Sequence, residues 1–314
     1  MELIRGQHNL RPRHHGCVAT IGNFDGVHLG HQAILRQSAE PARALGLPLT
    51  VITFEPQPQE FFAPEAAPAR LMRLREKLLA LQQYGVERVL CLEFDRRLAA
   101  VPAQQFIEQI MVNRLGIRYL VVGDDFRFGH RREGDFELLC QVGQERGFQV
   151  ANTHSYIYQG QRVSSTRIRE ALAQGELELA ECLLGHPYSI CGRVAHGDKR
   201  GRTLGFPTAN IHLHRRSTPL AGVYAVRMHG IGTEPIAGVA NLGRRPTVGG
   251  LRMQLEVHLF DFQQDIYGRH VQVDFLAFLR PEQRFDSLDA LQRQIQTDSG
   301  QARTFFADPA RRSG

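Results

Sequence analysis

Apolar residues along the chain follow two rhythms, and the change between them falls near residue 185. In the first stretch CVATIG (17–22), LPLTVITF (47–54), ERVLCL (87–92), RYLVVG (118–123) and FQVANT (148–153) are short runs rich in Val, Ile and Leu. Strands buried on both faces read this way. Between them, HQAILRQSAEPARAL and ARLMRLREKLLALQQYG repeat apolar residues at helical spacing; in the second, Leu71, Leu74, Leu78 and Leu81 form one stripe and Gly85 supplies a stop. Strands alternating with helices predict an α/β, Rossmann-like parallel sheet covered by helices on both faces, with ligands at the carboxyl ends of its strands.

Beyond ECLLGHP (181–187) the runs become short and alternating: YSICGRVA, GVYAVRMHG, IAGVANLG, LRMQLEVHLFDF and HVQVDFLAFLR, separated by Gly, Pro and Arg. That pattern predicts an antiparallel sandwich or small β-barrel. A single helix should close it, since FDSLDALQRQIQTDSG offers Asp286 or Ser287 as cap, Leu288, Leu291 and Ile295 as a buried stripe, and Gly300 as a stop. The expected domains are therefore 1–185 and 186–314, the second with a core to about 306 followed by a tail.

A chain of 314 residues that is 42% hydrophobic can hold two such cores. No apolar run approaches the roughly 20 residues of a membrane helix, and the N-terminal MELIRGQHNLRPRHHG lacks an uninterrupted apolar core for export. Five scattered cysteines with no CxxC pair argue against a disulfide framework and a thiolate zinc site. A cytoplasmic protein with no membrane partner is expected. The net charge of +6 is unevenly placed: residues 1–185 carry 21 basic and 21 acidic side chains, leaving 38 − 21 = 17 basic and 32 − 21 = 11 acidic in the rest. An excess confined to one half, without blocks of like charge, suggests phosphate handling and does not call for nucleic acid.

The first predicted strand runs into GNFDGVHLGHQAIL (22–35), where Gly22, Gly26 and Gly30 allow close approach of backbone to a ligand and a helix begins with its positive end toward it. His28 and His31, spaced i,i+3, project from one side of that first turn. Two hydrogen-bond donors at a phosphate suit nucleotidyl transfer, which is mostly positioning and neutralisation of charge on phosphoryl oxygens. A zinc site on this pair is the weaker reading, because only Asp25 stands nearby as a further ligand. VVGDDFRFGHRREGD (121–135) follows another strand with Phe126 and Phe128 offered for stacking on a flat ring. VSSTRIREAL (163–172) starts a helix at Ser164 or Ser165, buries Ile168 and Leu172, and leaves Arg167 at the positive end as a second anion site.

In the second half, GRVAHGDKRGRTLGFPTANI (192–211) mixes Gly197, Gly201 and Gly205 with Lys199, Arg200 and Arg202, a natural phosphate cradle that matches neither GxxxxGK[ST] nor GxGxxG. Thr208 and Asn210, two apart in an extended chain, can present a hydroxyl and an amide oxygen to one hard cation such as Mg²⁺. In LRMQLEVHLF, Leu255, Val257 and Leu259 alternate onto one face, setting Glu256 on the other with Gln254 and His258. Opposite a magnesium-phosphate site that carboxylate could take a proton from an attacking alcohol.

GNFDGVHLGH, GDDFRFGHRREGD and SSTRIRE, in this order, resemble the nucleotidyltransferase half of the bacterial bifunctional riboflavin kinase/FMN adenylyltransferase family, also called FAD synthetase. GDKRGRTLGFPTAN, GVYAV, GVANLGRRPTVGG, LEVHLFDFQQDIYG and LRPEQRFDSLDALQRQIQTD resemble its riboflavin kinase domain, so that the likeness spans about residues 5–306. The resemblance implies an HxGH nucleotidyltransferase domain ahead of a kinase barrel, with ATP, riboflavin, FMN and FAD as substrates or products and Mg²⁺ as cofactor. It implies that His28 and His31 hold ATP phosphates, with Gly22, Asn23, Phe24 and Gly30 around them, and that Ser164, Ser165, Thr166 and Arg167 grip the triphosphate. Asp125, Phe128 and Phe54 would lie near flavin or nucleotide. In the kinase half Gly197, Lys199, Gly201, Arg202 and Gly205 would bind phosphate, Thr208 and Asn210 would hold Mg²⁺, and Glu256 would activate the ribityl 5′-hydroxyl. The chain departs from the usual F-x-P-H-P at FEPQP (54–58), where Gln57 stands for a histidine. Two alternatives stay open: another HxGH nucleotidyltransferase with a barrel that binds its acceptor, and a flavin-responsive regulator. Self-association is left open.

Overall fold

A computed structural model of the chain describes residues 1–196, 205–247 and 250–308. It divides into two compact units, Met1–Pro68 with Met72–Ser165, and Ala69–Leu71 with Thr166–Gly314. The division falls ahead of the change in hydrophobic rhythm near 185.

The first unit is built on β1 (Glu2–Arg5), β2 (Cys17–Ile21), β3 (Leu49–Glu55), β4 (Arg88–Glu93), β5 (Ile117–Gly123) and β6 (Gln149–Thr153). They form one sheet in the order β1-β4-β3-β2-β5-β6, every neighbouring pair parallel. Five of these strands are those expected from the apolar runs; β1 is an addition, too short and too charged to announce itself. β2 is buried throughout. Cys17, Ala19 and Ile21 belong to the core on one face of the sheet and Val18 to the core on the other, so helices on both sides are required. These are α1 (Leu29–Leu45), α2 (Pro58–Phe62), α3 (Leu74–Gln83), α4 (Arg96–Ala99), α5 (Ala103–Phe106), which continues as a π-helical segment Ile107–Arg114, and α6 (Phe136–Arg146). In α1 the residues Gln32, Leu35, Ser38 and Ala42 face inward, and Gly46 closes the helix in the left-handed region.

The stripe read through Leu71 is corrected. α3 begins only at Leu74, because the Glu76 carboxylate accepts from the Arg73 N–H at 2.6 Å and caps the helix there. Leu71 is fully buried elsewhere: it belongs to the second unit, where its carbonyl accepts from the Tyr188 hydroxyl at 3.2 Å and from Arg215 at 3.3 Å. A small hairpin of β7 (Ile157–Tyr158) and β8 (Gln161–Arg162) completes the first unit.

In the second unit α7 (Ser165–Ala173, its first residue counted with the first unit) and α8 (Leu177–Leu184) precede β9 (Tyr188–Ala195), β10 (Ala209–His212), β11 (Gly222–His229), β12 (Ile236–Thr247), β13 (Gly250–Leu259) and β14 (His270–Arg280). Among the described residues the strands close into an antiparallel barrel in the order β10-β13-β12-β11-β14-β9. Leu255, Val257 and Leu259 are buried, as the alternation requires, while Gln254, Glu256 and His258 are only partly buried. α7 buries Ile168 and Leu172, and α8 packs on β9 and β14.

The closing helix α9 (Leu288–Ala307) is capped by Ser287, whose hydroxyl accepts from Ala290 N–H at 3.2 Å. It differs from the expected helix in two ways. It runs straight through Gly300, which meets open space, and Leu288 is 69% exposed. Burial instead centres on Asp298, Ser299 and Ala302, with Leu291 and Ile295 partly covered. Tertiary anchors explain the extra length: Arg280 on β14 grips Asp298 bidentately, and Arg303 pairs with Asp261 at 3.0 Å while lying over the Phe260 ring.

Candidate active sites

β2 lies at the centre of its sheet, with the chain passing outward through β3 and β4 on one side and through β5 and β6 on the other. Its carboxyl end is thus the topological switch point, the usual place for a ligand in an open α/β sheet. The loops after β2, β3 and β5 all emerge on this edge because the strands are parallel.

The first loop is held in an unusual conformation. Phe24 and Val27 both have left-handed backbone, with φ of 48° and 40°, and both side chains are buried. Such residues cost roughly 1–3 kcal/mol each and persist only where surroundings enforce them. Here Asp25, itself buried, accepts from the Met72 N–H at 2.9 Å through its carboxylate, and from the Ser165 hydroxyl at 2.8 Å through its backbone carbonyl. Gln32 donates back to the Val27 carbonyl at 3.0 Å.

The loop delivers His28 to the N-cap of α1. His28 Nδ1 accepts from the His31 backbone N–H at 3.4 Å, which leaves the proton of a neutral ring on Nε2. The two imidazoles stack, their centroids 3.7 Å apart and their planes 20° from parallel. Gly30 leaves room for this: a Cβ there would come within 3.2 Å of the His28 ring. Burial above all, with repulsion from its basic neighbours His28, Lys77 and Arg162 adding to it, holds the His31 imidazole well below the ordinary histidine range. The stacked pair thus sets a neutral His31 ring and the His28 ring at the positive end of α1, where an anion would be met.

Around this turn, Asp125 after β5 forms a bidentate pair with Arg162 of β8 at 2.7 and 2.8 Å, and the guanidinium holds its carboxyl below the usual value. Asp124 accepts from the backbone and hydroxyl of Ser155. Phe128 departs from the expectation of an open stacking ring: it is 7% exposed, packed on Phe106, with Phe126 stacked on it at 5.3 Å and 12°. One face is taken by Phe126, and Phe106 lies tilted against the ring at 6.0 Å. Phe54, partly buried at the end of β3, meets Phe94 edge-on at 5.7 Å, and Phe94 also contacts Phe61 and Phe62. Sequence reasoning missed this cluster, although the FF pair at 61–62 was visible; Phe62 is 68% exposed. Gln57 is buried, its N–H donating to Glu60 at 2.9 Å and its side-chain Nε2 without a hydrogen-bond partner. Ser164 and Ser165 stand at the start of α7. Thr166 and Arg167 are grouped with the second unit.

In that unit, antiparallel pairing sets Asn210 directly opposite Glu256 and Glu256 opposite Asn241, so β10, β13 and β12 carry an amide, a carboxylate and an amide in one row. Gln254, two residues before Glu256, donates from Nε2 to Asn210 Oδ1 at 2.5 Å and to Glu256 Oε1 at 3.0 Å. Thr208, just ahead of β10, lines a cavity of about 400 Å³ with Val194, Val257, Leu259, Asp265 and Tyr267. His258 donates from Nδ1 to the Pro207 carbonyl at 2.9 Å and so fixes the residue next to Thr208. Gly205 is exposed with φ of 83°. Gly197, Lys199, Arg200, Gly201 and Arg202 lie outside the described residues.

Family models described as FAD synthetase and riboflavin kinase match residues 10–167 and 184–306. A bifunctional riboflavin kinase/FMN adenylyltransferase of Escherichia coli strain K12 is 56% identical over 307 residues, covering 98% of each chain. The chain belongs to this bifunctional family. Relatives of the same name from Haemophilus influenzae and Pseudomonas fluorescens are 52% and 53% identical, the first over 98% of this chain and 99% of its own, the second over 99% and 100%. A solved structure from Streptococcus pneumoniae, titled a macrolide-efflux protein, superposes with a TM-score of 0.82 at 33% identity, covering 96% of this chain and 99% of that one. Among the described residues no helix is long and apolar enough to cross a membrane. The order of the two family matches, nucleotidyltransferase then kinase, is the order of the parallel sheet and the barrel.

Proposed function

We propose that this chain makes FMN from riboflavin and ATP in its barrel, and FAD and pyrophosphate from FMN and a second ATP on its parallel sheet. The observation that carries this reading is the pairing of bifunctional relatives that cover nearly the whole chain with two separate constellations, the His28–His31 stack at a helix N-terminus, suited to phosphate, and the Asn210–Glu256 row of oxygens, suited to a hard cation and a proton. The working division is 1–185 for adenylyl transfer and 186–314 for the kinase, in a cytoplasmic enzyme whose partners are small molecules.

In the first reaction a ribityl 5′-oxygen attacks the γ-phosphorus of ATP, the bond to the β,γ-bridging oxygen breaks, and the alcohol proton passes to Glu256; FMN and ADP leave. The Thr208 hydroxyl and the Asn210 amide oxygen are hard oxygen donors suited to Mg²⁺, which keeps several waters and shares its shell with phosphates. When bound, that ion neutralises phosphate charge. Gly197, Lys199, Gly201, Arg202 and Gly205 supply the remaining contacts to phosphate.

In the second, an FMN phosphate oxygen attacks the α-phosphorus and pyrophosphate leaves. His28 Nε2–H and the His31 ring donate to phosphoryl oxygens as charge builds there, at the N-terminus of α1 and beside the backbone of Gly22, Asn23, Phe24 and Gly30. Ser164, Ser165, Thr166 and Arg167 hold the triphosphate. Phe54 and Asp125 border the flavin, and Phe128 acts through the Phe126 ring stacked on it. Gln57, with its buried amide at the end of β3, takes the place of the family's histidine without a titrating group.

Product analysis of single variants supplied with riboflavin, ATP and Mg²⁺ tests the reading. His28→Ala should accumulate FMN and make no FAD; Glu256→Ala should make no FMN yet convert added FMN to FAD. Failure of His28→Ala to make FMN from riboflavin, or of Glu256→Ala to make FAD from added FMN, with the fold intact by circular dichroism, would overturn it.

A further inference from the structure

Glu256 and Asn210 are not independent groups on neighbouring strands, because one carboxamide ties them together. The hydrogen-bond inventory fixes how. An ionised carboxylate only accepts, so the side of Gln254 that faces Glu256 Oε1 must be its NH₂ group. That same NH₂ reaches Asn210, which must therefore turn its oxygen toward Gln254. The chain of donors leaves no choice of amide orientation. Asn210 Oδ1 ends beside the carboxylate, with one lone pair engaged by Gln254 and the other left for a ligand.

We propose that Gln254 is a positioning residue of the kinase site: its carboxamide clamps the Asn210 amide oxygen and the Glu256 carboxylate into one constellation that presents a hard oxygen ligand and a proton acceptor side by side. The register supports the placement. Gln254 sits opposite His212 and diagonal to Asn210, on the face of β13 that also carries Glu256, a spacing within reach of a long side chain. The inference rests on the roles given above to Asn210 and Glu256. Removing both donors frees two polar side chains to rotate apart and leaves the ladder of backbone bonds between β10 and β13 untouched.

Gln254→Met keeps the length of the side chain and deletes both donors. The expected result is a fall in kcat for FMN formation of about 10- to 100-fold, the usual effect of losing a partner that orients a ligating or catalytic group. KM for riboflavin should stay within about twofold, and conversion of added FMN to FAD should not change. Gln254→Glu, which sets a second carboxylate beside Glu256, should fall further. A crystal structure of the Gln254→Met protein should show the Asn210 amide and the Glu256 carboxylate displaced from each other. If Glu256→Gln retains FMN formation, the roles assigned above fail. If Glu256→Gln abolishes it while Gln254→Met keeps wild-type kcat, or the crystal structure shows both side chains unmoved, the clamp is overturned and those roles stand.

Discussion

At the scale of single residues, the HxGH turn shows how much a short motif determines and where it stops. The i,i+3 spacing of His28 and His31 brings their rings to one side of the first helical turn, and the structure stacks them there. What spacing leaves open is protonation. His31 loses solvent and lies near Lys77 and Arg162, residues far from it in sequence, and its imidazole is held well below its ordinary range. A histidine whose folded value lies below its unfolded one binds fewer protons folded than unfolded, so its stability contribution is whole above the unfolded value, about 6.5, and is lost as pH falls beneath it. Urea midpoints measured at pH 7 and pH 5 should therefore drop less for His31→Gln than for the parent protein; equal drops would refute this. Phe128 gives the complementary lesson. Its neighbours in the motif made it look like an open stacking ring, but Phe106 arrives from another segment and covers it.

At the scale of elements, periodicity located five strands of the parallel sheet and five of the barrel, missed the short β1 and β10, and failed at helix ends. α3 starts three residues later than the Leu stripe suggested, since the Arg73–Glu76 cap outweighs the apolar spacing. α9 passes through Gly300 because its buried face is organised by an ion pair and not by leucines. Asp298 is nearly covered and receives three contacts from Arg280 and one from Gln294 at 2.9 Å. Breaking such a pair from one side leaves a largely buried guanidinium uncompensated, a loss of roughly 3–5 kcal/mol. Asp298→Ala should accordingly lower the thermal stability of the barrel unit by that order in a calorimetric or chemical denaturation experiment, and Arg280→Ala/Asp298→Ala should recover part of it. A single variant within 0.5 kcal/mol of the parent, roughly the effect of an ordinary surface substitution, would show that α9 is held by other contacts.

At the scale of the whole molecule, each unit has its own sheet, its own core and its own candidate site. Two variants that each lack one step should then complement each other: a mixture of His28→Ala and Glu256→Ala, given riboflavin, ATP and Mg²⁺, should produce FAD, since FMN released by the first is a substrate for the second. No FAD from the mixture, with each variant retaining its remaining activity, would mean that FMN is not exchanged between molecules. The chain's uneven charge, all +6 on the second half, has a matching division of labour in this reading: a helix terminus and two imidazoles on one side, a Gly/Arg segment and hard oxygen ligands on the other. Apolar rhythm, glycine placement and motif order were enough to determine the two architectures and most of the candidate residues, because burial period and turn chemistry are local properties of a chain. Proton positions, the covering of Phe128, the reach of α9 and the Gln254 clamp were decided only by tertiary structure, because each depends on atoms brought together from segments whose separation in sequence says nothing of their distance in space.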